Sequence, residues 1–230
     1  MLILGIETSG GAGSVALCEG REVRAEYYFP EGPRHSRNIM LGVDSVIGEA
    51  GTSKDRIDAV AVSQGPGSFT GLRVGVMCAK SLAYALRWKA IGVSSLEVKA
   101  RNVDPDEPGA PEHVCPVLDA RRSCVYAMIL RNAGGRWDDT TGVLLGRPEE
   151  IAEKIPRDAL IFGSGVGKYP DVFNEQDFTI GPDALEQGHA REVARLAAPL
   201  LDSGADVSPI DLLPKYHRPT AAEEKFGRVK

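Results

Sequence analysis

The sequence predicts an α/β protein of two similar lobes in tandem, the second smaller and degenerate, and three observations carry that expectation. Residues 2–29 read as a three-stranded antiparallel meander. Helical and strand patterns then alternate up to Asn102, in the order helix, strand, helix, strand, helix. The segment Asp104-Pro105-Asp106-Glu107-Pro108-Gly109-Ala110-Pro111 carries three prolines in eight residues, which marks a linker, and the pattern partly repeats after it. The expected division is therefore a first lobe over 1–103, a linker over 104–111, a second lobe over 112–216 and a disordered polar tail over 217–230.

Each element has its own warrant. Leu2 to Glu7 is apolar and β-branched, Gly10 to Gly13 turns the chain, Ser14 to Cys18 returns, and Glu22 to Phe29 alternates. His35 to Ala50 repeats at helical period through Ile39, Val43, Val46, Ile47 and Ala50, with Gly51 as its stop. Met40 and Leu41 lie off that stripe, so the helix is apolar on a flank as well. Ala59 to Val62 reads as a buried strand. A helix from Thr70 to Arg87 follows, with Val76, Ala79, Ala83 and Leu86 on one face and Met77, Ser81 and Ala85 elsewhere. Lys89 to Val93 is a strand, and Ser94 or Ser95 caps a helix to Asn102. This order is that of one actin-like (ribonuclease H-like) lobe, the architecture of the sugar kinase and Hsp70 superfamily. Beyond the linker, His113 to Asp119 and Cys124 to Arg131 read as strands and Gly142 to Leu145 as a third. A helix over Pro148–Lys154, a strand over Ala159–Phe162 and a last helix over Ala190–Ser203 complete the chain, with Pro209 to Tyr216 extended.

Composition excludes several functions. The net charge of −5 makes the chain a poor holder of nucleic acid by itself, because neutralising phosphates needs a basic surface. Cys18, Cys78, Cys115 and Cys124 include no Cys-x-x-Cys pair and read as buried reduced thiols of a cytoplasmic protein. No window approaches a membrane span. No two histidines stand at metal-ligand spacing, and no Ser/His/Asp or Cys/His arrangement stands out.

The richest stretch is Ser63-Gln64-Gly65-Pro66-Gly67-Ser68-Phe69-Thr70-Gly71-Leu72-Arg73-Val74-Gly75, between a strand and a helix. Its glycine spacing misses the dinucleotide fingerprint, and it lacks the Gly-Lys-Ser/Thr of a phosphate loop. Pro66 presets one turn dihedral while Gly65 and Gly67 permit unusual ones, and Ser68 or Thr70 can cap the helix. Gly71, Gly75 and Ala79, four apart, form a side-chain-poor stripe that another backbone can approach. Gly163-Ser164-Gly165-Val166-Gly167-Lys168 also fails as a phosphate loop, since Phe162 and Tyr169 stand where Gly and Ser/Thr are required.

The wording of the stretch is more specific than its spacing: Gly65 to Arg73 resembles the signature of the TsaB (YeaZ) family of bacterial tRNA-modification proteins. Matching pieces recur in order at Glu7-Thr8-Ser9, His35-Ser36, Gly92 to Glu97, Asp119 to Arg122, Gly163 to Gly165 and Pro214-Lys215-Tyr216-His217-Arg218. The resemblance implies a non-catalytic scaffold subunit of the complex that makes threonylcarbamoyladenosine beside the anticodon. The chain would pair with a TsaD-like catalytic paralogue through the helices 35–50 and 70–87, a TsaE-like ATPase would join them, and tRNA would be held only by the complex. The interface so implied comprises His35, Ile39, Met40, Val43 and Ile47 on the first helix and Thr70, Gly71, Val74, Gly75, Cys78 and Leu82 on the second. An apolar flank beyond the sheet-facing stripe fits such a partner. The histidine pair of the paralogue's metal site is missing, since Ile39 follows His35, so no metal is expected.

In the superfamily an acid at the end of the first strand faces magnesium and the glycine turn of the second lobe touches adenosine. The corresponding residues are Glu7, Thr8, Ser9, Gly163 and Gly165, with Glu7 where the superfamily carries Asp. Read alone, Glu7 is equally a solvated strand-end acid, Ser9 a turn former and Gly163–Gly165 a bare turn. No cofactor is required on this view, and ATP or ADP would have its place at the complex interface. The alternatives are a stand-alone actin-like phosphotransferase or ATPase, or a metalloprotease-like homodimer using the same helices.

Overall fold

The computed structural model describes residues 1–30, 35–175 and 177–218. The first sheet runs in the order β3-β2-β1-β4-β5, built from β1 (Leu2–Glu7), β2 (Gly13–Glu19), β3 (Glu22–Phe29), β4 (Ala59–Gly65) and β5 (Lys89–Ser94). β1 to β3 form the antiparallel meander, and β4 and β5 add parallel to β1 through helical crossovers. This is the actin-like lobe.

Alternation along the strands gives the sheet two apolar faces. Leu4 and Ile6 of β1 turn to one face, with Val15 and Leu17 of β2 and Val60 and Val62 of β4. Ile39, Val43, Val46 and Ile47 of α1 (His35–Glu49) and Val76, Ala79 and Ala83 of α2 (Phe69–Leu86) cover them. Ile3, Ala16, Cys18, Ala59 and Ala61 face the other way. There α3 (Ser95–Ala100) supplies Val98, and α7 (Ala190–Asp202) supplies Ala190, Val193, Ala194, Ala197 and Leu201. Sequence order places α7 in the second lobe, over 112–216, but its packing is on the first sheet. Gly5 makes this possible, because a Cβ there would stand 2.1 Å from the carbonyl oxygen of Ala190.

The second sheet centres on β6 (His113–Asp119), flanked by β11 (Leu160–Phe162) in parallel. The single strand expected over 124–131 is two: β7 (Val125–Ala127) pairs with the end of β6, and β8 (Leu130–Asn132) with its start. Register is the same on both sides of the gap, with His113 opposite Arg131 and Asp119 opposite Val125. The interruption coincides with Pro116, which has no N–H for the ladder. Ile129 bonds instead to Thr140 and Thr141, beside an unexpected strand β9 (Trp137–Asp139). β10 (Leu144–Gly146) pairs with β7, followed by α4 (Pro148–Ala152), α5 (Ser164–Lys168), α6 (Pro170–Asn174) and β12 (Thr179–Ile180). α5 occupies the glycine turn expected after β11.

Two further expectations need correcting. Cys124 lies in the turn before β7 and, like Cys78, is half-buried, whereas Cys18 and Cys115 are fully buried; all four are free thiols. Of the tail expected over 217–230, His217 and Arg218 are placed against the second lobe, and 219–230 lie outside the described residues. No helix among the described residues is long and apolar enough to cross a membrane.

Candidate functional site

The stretch after β4 is held by two distant parts of the chain. Gly65 and Gly67 have φ of 126° and 159°, and a Cβ on either would collide with backbone. At Gly65 it would stand 2.6 Å from the Lys215 carbonyl, and at Gly67 2.4 Å from that of Ser9. The Gly65–Pro66 bond is cis. Ser68 caps α2, its hydroxyl accepting from the Gly71 N–H at 3.3 Å, while its own N–H donates to Ser9 O at 2.8 Å. Of the two serines expected to cap α3, Ser94 holds the cap position without a side-chain bond, and Ser95 accepts from the Gly65 N–H at 3.1 Å.

The C-terminal segment straps this loop from outside. Lys215 N–H donates to Gln64 O at 2.8 Å, and Lys80 Nζ to Ile210 O at 2.6 Å. Arg73 Nε donates to the Tyr216 hydroxyl at 2.8 Å, with its guanidinium 3.8 Å over the Phe69 ring. His217 meets Tyr126 edge to face, and Arg218 Nη1 reaches Ala120 O and Arg121 O. The glycine-rich stretch and the Pro-Lys-Tyr-His-Arg segment, with Arg73 and Tyr216 143 residues apart, thus form one site. Tyr216→Phe is expected to cost about 0.5–1 kcal/mol, and Arg73→Ala roughly 1–2 kcal/mol because its stacking goes too. Thermal melting and amide exchange of residues 209–218 measure both.

The small-residue stripe faces inward, against the expectation that it meets a partner. A Cβ on Gly71 would lie 2.0 Å from Thr8 O, one on Gly75 2.2 Å from Thr8 Oγ1, and Ala79 is fully buried. Thr8 Oγ1 donates to Gly71 O at 2.9 Å, fastening α2 to the end of β1. Ile39, Val43 and Ile47 are likewise core residues, and Leu82, also largely buried, shows only its edge at the surface between the helices. The outward residues of the expected set are Met40, Thr70, Val74 and Cys78; the side chain of His35 lies outside the described residues. Met77, at 61% exposed, and Tyr84, at 75%, belong with them and were missed. The signal was present, since Met77, Ser81 and Ala85 stand four apart on the flank away from the sheet. Cys78 Sγ touches Met40 Sδ at 3.8 Å, joining the two helices, and the shallow hollow beside them, about 650 Å³, is almost wholly apolar. Burial pushes the Cys78 thiol up to about 11, which keeps it protonated.

At the end of β1 the chain closes over its own acid. Glu7 is fully buried, against the expectation of a solvated side chain. Its carboxylate accepts from the Ser9 N–H at 2.5 Å and from the Ser63 hydroxyl, and a Cβ on Gly188 would stand 2.9 Å from Glu7 Cδ. Lys99 of α3, 2% exposed, donates to Glu186 O at 2.5 Å. Burial pushes the Lys99 ammonium down from the usual lysine value, while the charge of Glu7 pulls it back up. Thr8 and Ser9 are buried beside Glu7. In the second lobe, Gly163 and Gly165 press on Val117 of β6, with no room for a Cβ at either. The strand-end acid there, Asp119, lies 3.5 Å from Lys168 and 3.9 Å from Arg121. Each position named from the sequence as a vestigial nucleotide site is thus packed against the protein itself.

Comparison with known proteins fits this geometry. Residues 31–221 match the family model described as TsaD, tRNA N6-adenosine threonylcarbamoyltransferase. The chain is 31% identical over 233 residues to the tRNA threonylcarbamoyladenosine biosynthesis protein TsaB of Escherichia coli K12, covering 98% of each. It is also 31% identical over 237 residues to the Bacillus subtilis 168 protein of the same name, again covering 98% of each. A crystal structure of a Pseudomonas aeruginosa protein, described as similar to the peptidase YeaZ, superposes with a TM-score of 0.83 at 28% identity. It covers 94% of this chain and 99% of that one.

Proposed function

Because the chain belongs to the TsaD family and matches its TsaB members along almost their whole length, we propose that it is the non-catalytic scaffold subunit for tRNA threonylcarbamoyladenosine synthesis. It works in the cytoplasm, pairing with a TsaD-like catalytic subunit that a TsaE-like ATPase joins. The observation that carries this reading is the outward face of α1 and α2. Met40, Met77 and Tyr84 stand exposed there beside an apolar hollow, which is unfavourable on a helix pair that meets only water. A paralogue of the same fold presents an equivalent helix pair, and two such pairs make a four-helix interface.

The packing around Glu7 supports a partner role over catalysis. Glu7 accepts from Ser9 and Ser63 and has Lys99 nearby, an arrangement that already satisfies the carboxylate a phosphotransferase of this fold would turn towards magnesium. Nucleotide, where the complex uses it, belongs at the interface with the partners. The isolated chain is expected not to hydrolyse ATP above background; turnover abolished by Glu7→Ala overturns the scaffold reading. The net charge of −5 leaves tRNA to the assembled complex.

The same apolar face would also serve an isologous homodimer. Co-expression with a TsaD-type subunit, followed by ultracentrifugation, separates the two. A one-to-one heterodimer that displaces self-association supports the proposal, as does threonylcarbamoylation of tRNA that requires this chain. A homodimer that persists with the transferase in excess, with modification indifferent to the chain, overturns it.

A further inference from the structure

Three side chains converge where the parallel strands β6 and β11 begin, far from the helix face and the strap. Leu160 pairs with Val114, so two residues earlier Asp158 falls level with Glu112 at the same end of the sheet. One ligand atom from each of Glu112, His113 and Asp158 lies within 4.8 Å of the other two. Glu112 and Asp158 are exposed and His113 half-buried.

Two details point to a shared ligand. His113 Nδ1 is buried with no hydrogen-bond partner among the described residues, and it stands 3.6 Å from Asp158 Oδ1. That is longer than the roughly 2.7–3.2 Å of an N–H···O hydrogen bond. It is near the edge of about 3.4 Å that two ligands at about 2.1 Å span around a tetrahedral centre. The charge is also uncompensated: among the described residues no lysine or arginine lies within 4.0 Å of either carboxylate. Arg157, next in sequence, is instead 3.4 Å from Asp177. Two adjacent carboxylates without a cation repel each other, and a buried imidazole nitrogen without a partner is costly. A divalent cation resolves both.

We propose that Glu112, His113 and Asp158 bind one divalent transition-metal ion, with water completing its shell. One imidazole and two carboxylates suit Zn²⁺, and the imidazole discriminates against Mg²⁺, which takes oxygen ligands. The site ties the strand that leaves the linker to β11, at the end of β6 opposite Asp119.

Calorimetric titration of the full chain with Zn²⁺ at pH 7 tests this, with Mg²⁺ as the comparison and Co²⁺ absorption reporting the ligand set. One equivalent of Zn²⁺ is expected to bind, raising the melting temperature by mass action until a chelator reverses it. His113→Ala and Asp158→Asn are each expected to weaken binding at least about tenfold. The Co²⁺ spectrum should lack a thiolate charge-transfer band, since the cysteines play no part. Absence of binding, or unchanged Zn²⁺ affinity in both variants, overturns the proposal. So does Mg²⁺ binding as tight as Zn²⁺, which would leave an acidic patch beside a simple imidazolium–carboxylate pair.

Discussion

Met77→Asp is expected to leave the isolated chain folded and to abolish its pairing with a TsaD-type subunit. Met77 is 61% exposed on α2, so the substitution costs the monomer only a surface change, within about 0.5 kcal/mol plus a small helix-propensity penalty. In the complex the same carboxylate would enter an apolar interface without a partner. Losses of about 2–4 kcal/mol are typical when a central anchor is removed, which is roughly 30- to 1000-fold in affinity. Met40→Asp, across the Cys78 contact on α1, should act in the same way. Met77→Leu should keep most of the affinity, because it preserves area and apolarity. Binding should change little between low and high salt, as expected of an apolar interface whose charges lie only at its rim. Sedimentation of the mixed subunits and melting of each monomer check all of this. Undiminished pairing with both aspartates in place would put the partner on another surface.

Periodicity shows which residues are apolar, but not what an element packs against. The meander, the two long helices and the parallel crossovers were legible, since alternation and the 3.6-residue repeat are local properties. The destination of α7 was not. Its stripe of Ala190, Val193, Ala194, Ala197 and Leu201 suits any apolar surface, and only the bare Gly5 opposite Ala190 selects the first sheet. The division of the strand expected over 124–131 was half legible: Pro116 marks the missing donor, but its position opposite the gap depends on register. Glu7 reads as a surface acid because strand ends usually meet solvent. Its burial is made by Ser63 and Gly188, 56 and 181 residues away in sequence. The signature stretch and the Pro-Lys-Tyr-His-Arg segment were each visible; that Arg73 and Tyr216 bond across them was not.

Gly75→Leu is where the sequence and the structure diverge most, and it is expected to damage the chain itself instead of its pairing. Spacing alone offers Gly71, Gly75 and Ala79 as a face for a partner helix. In the fold, the first atom of any side chain at 75 would stand 2.2 Å from Thr8 Oγ1 and 3.5 Å from Val62 Cγ2. Thr8 has nowhere to go, because its hydroxyl is bonded to Gly71 O and its neighbour is the buried Glu7. Leucine there must push α2 off the sheet or drag the end of β1, an overpacking defect near the upper end of the usual 1–3 kcal/mol range. For a domain of this size that lowers the melting temperature by about 6–12 °C. Below that transition Met40 and Met77 still face outward, so the folded variant should still bind the TsaD-type subunit. The pair of measurements therefore crosses over: Met77→Asp keeps its melting temperature and loses the partner, while Gly75→Leu melts early and keeps it. A Gly75→Leu chain that melts like the wild type and fails to pair would return the stripe to the interface and overturn the packing of α2 on Thr8.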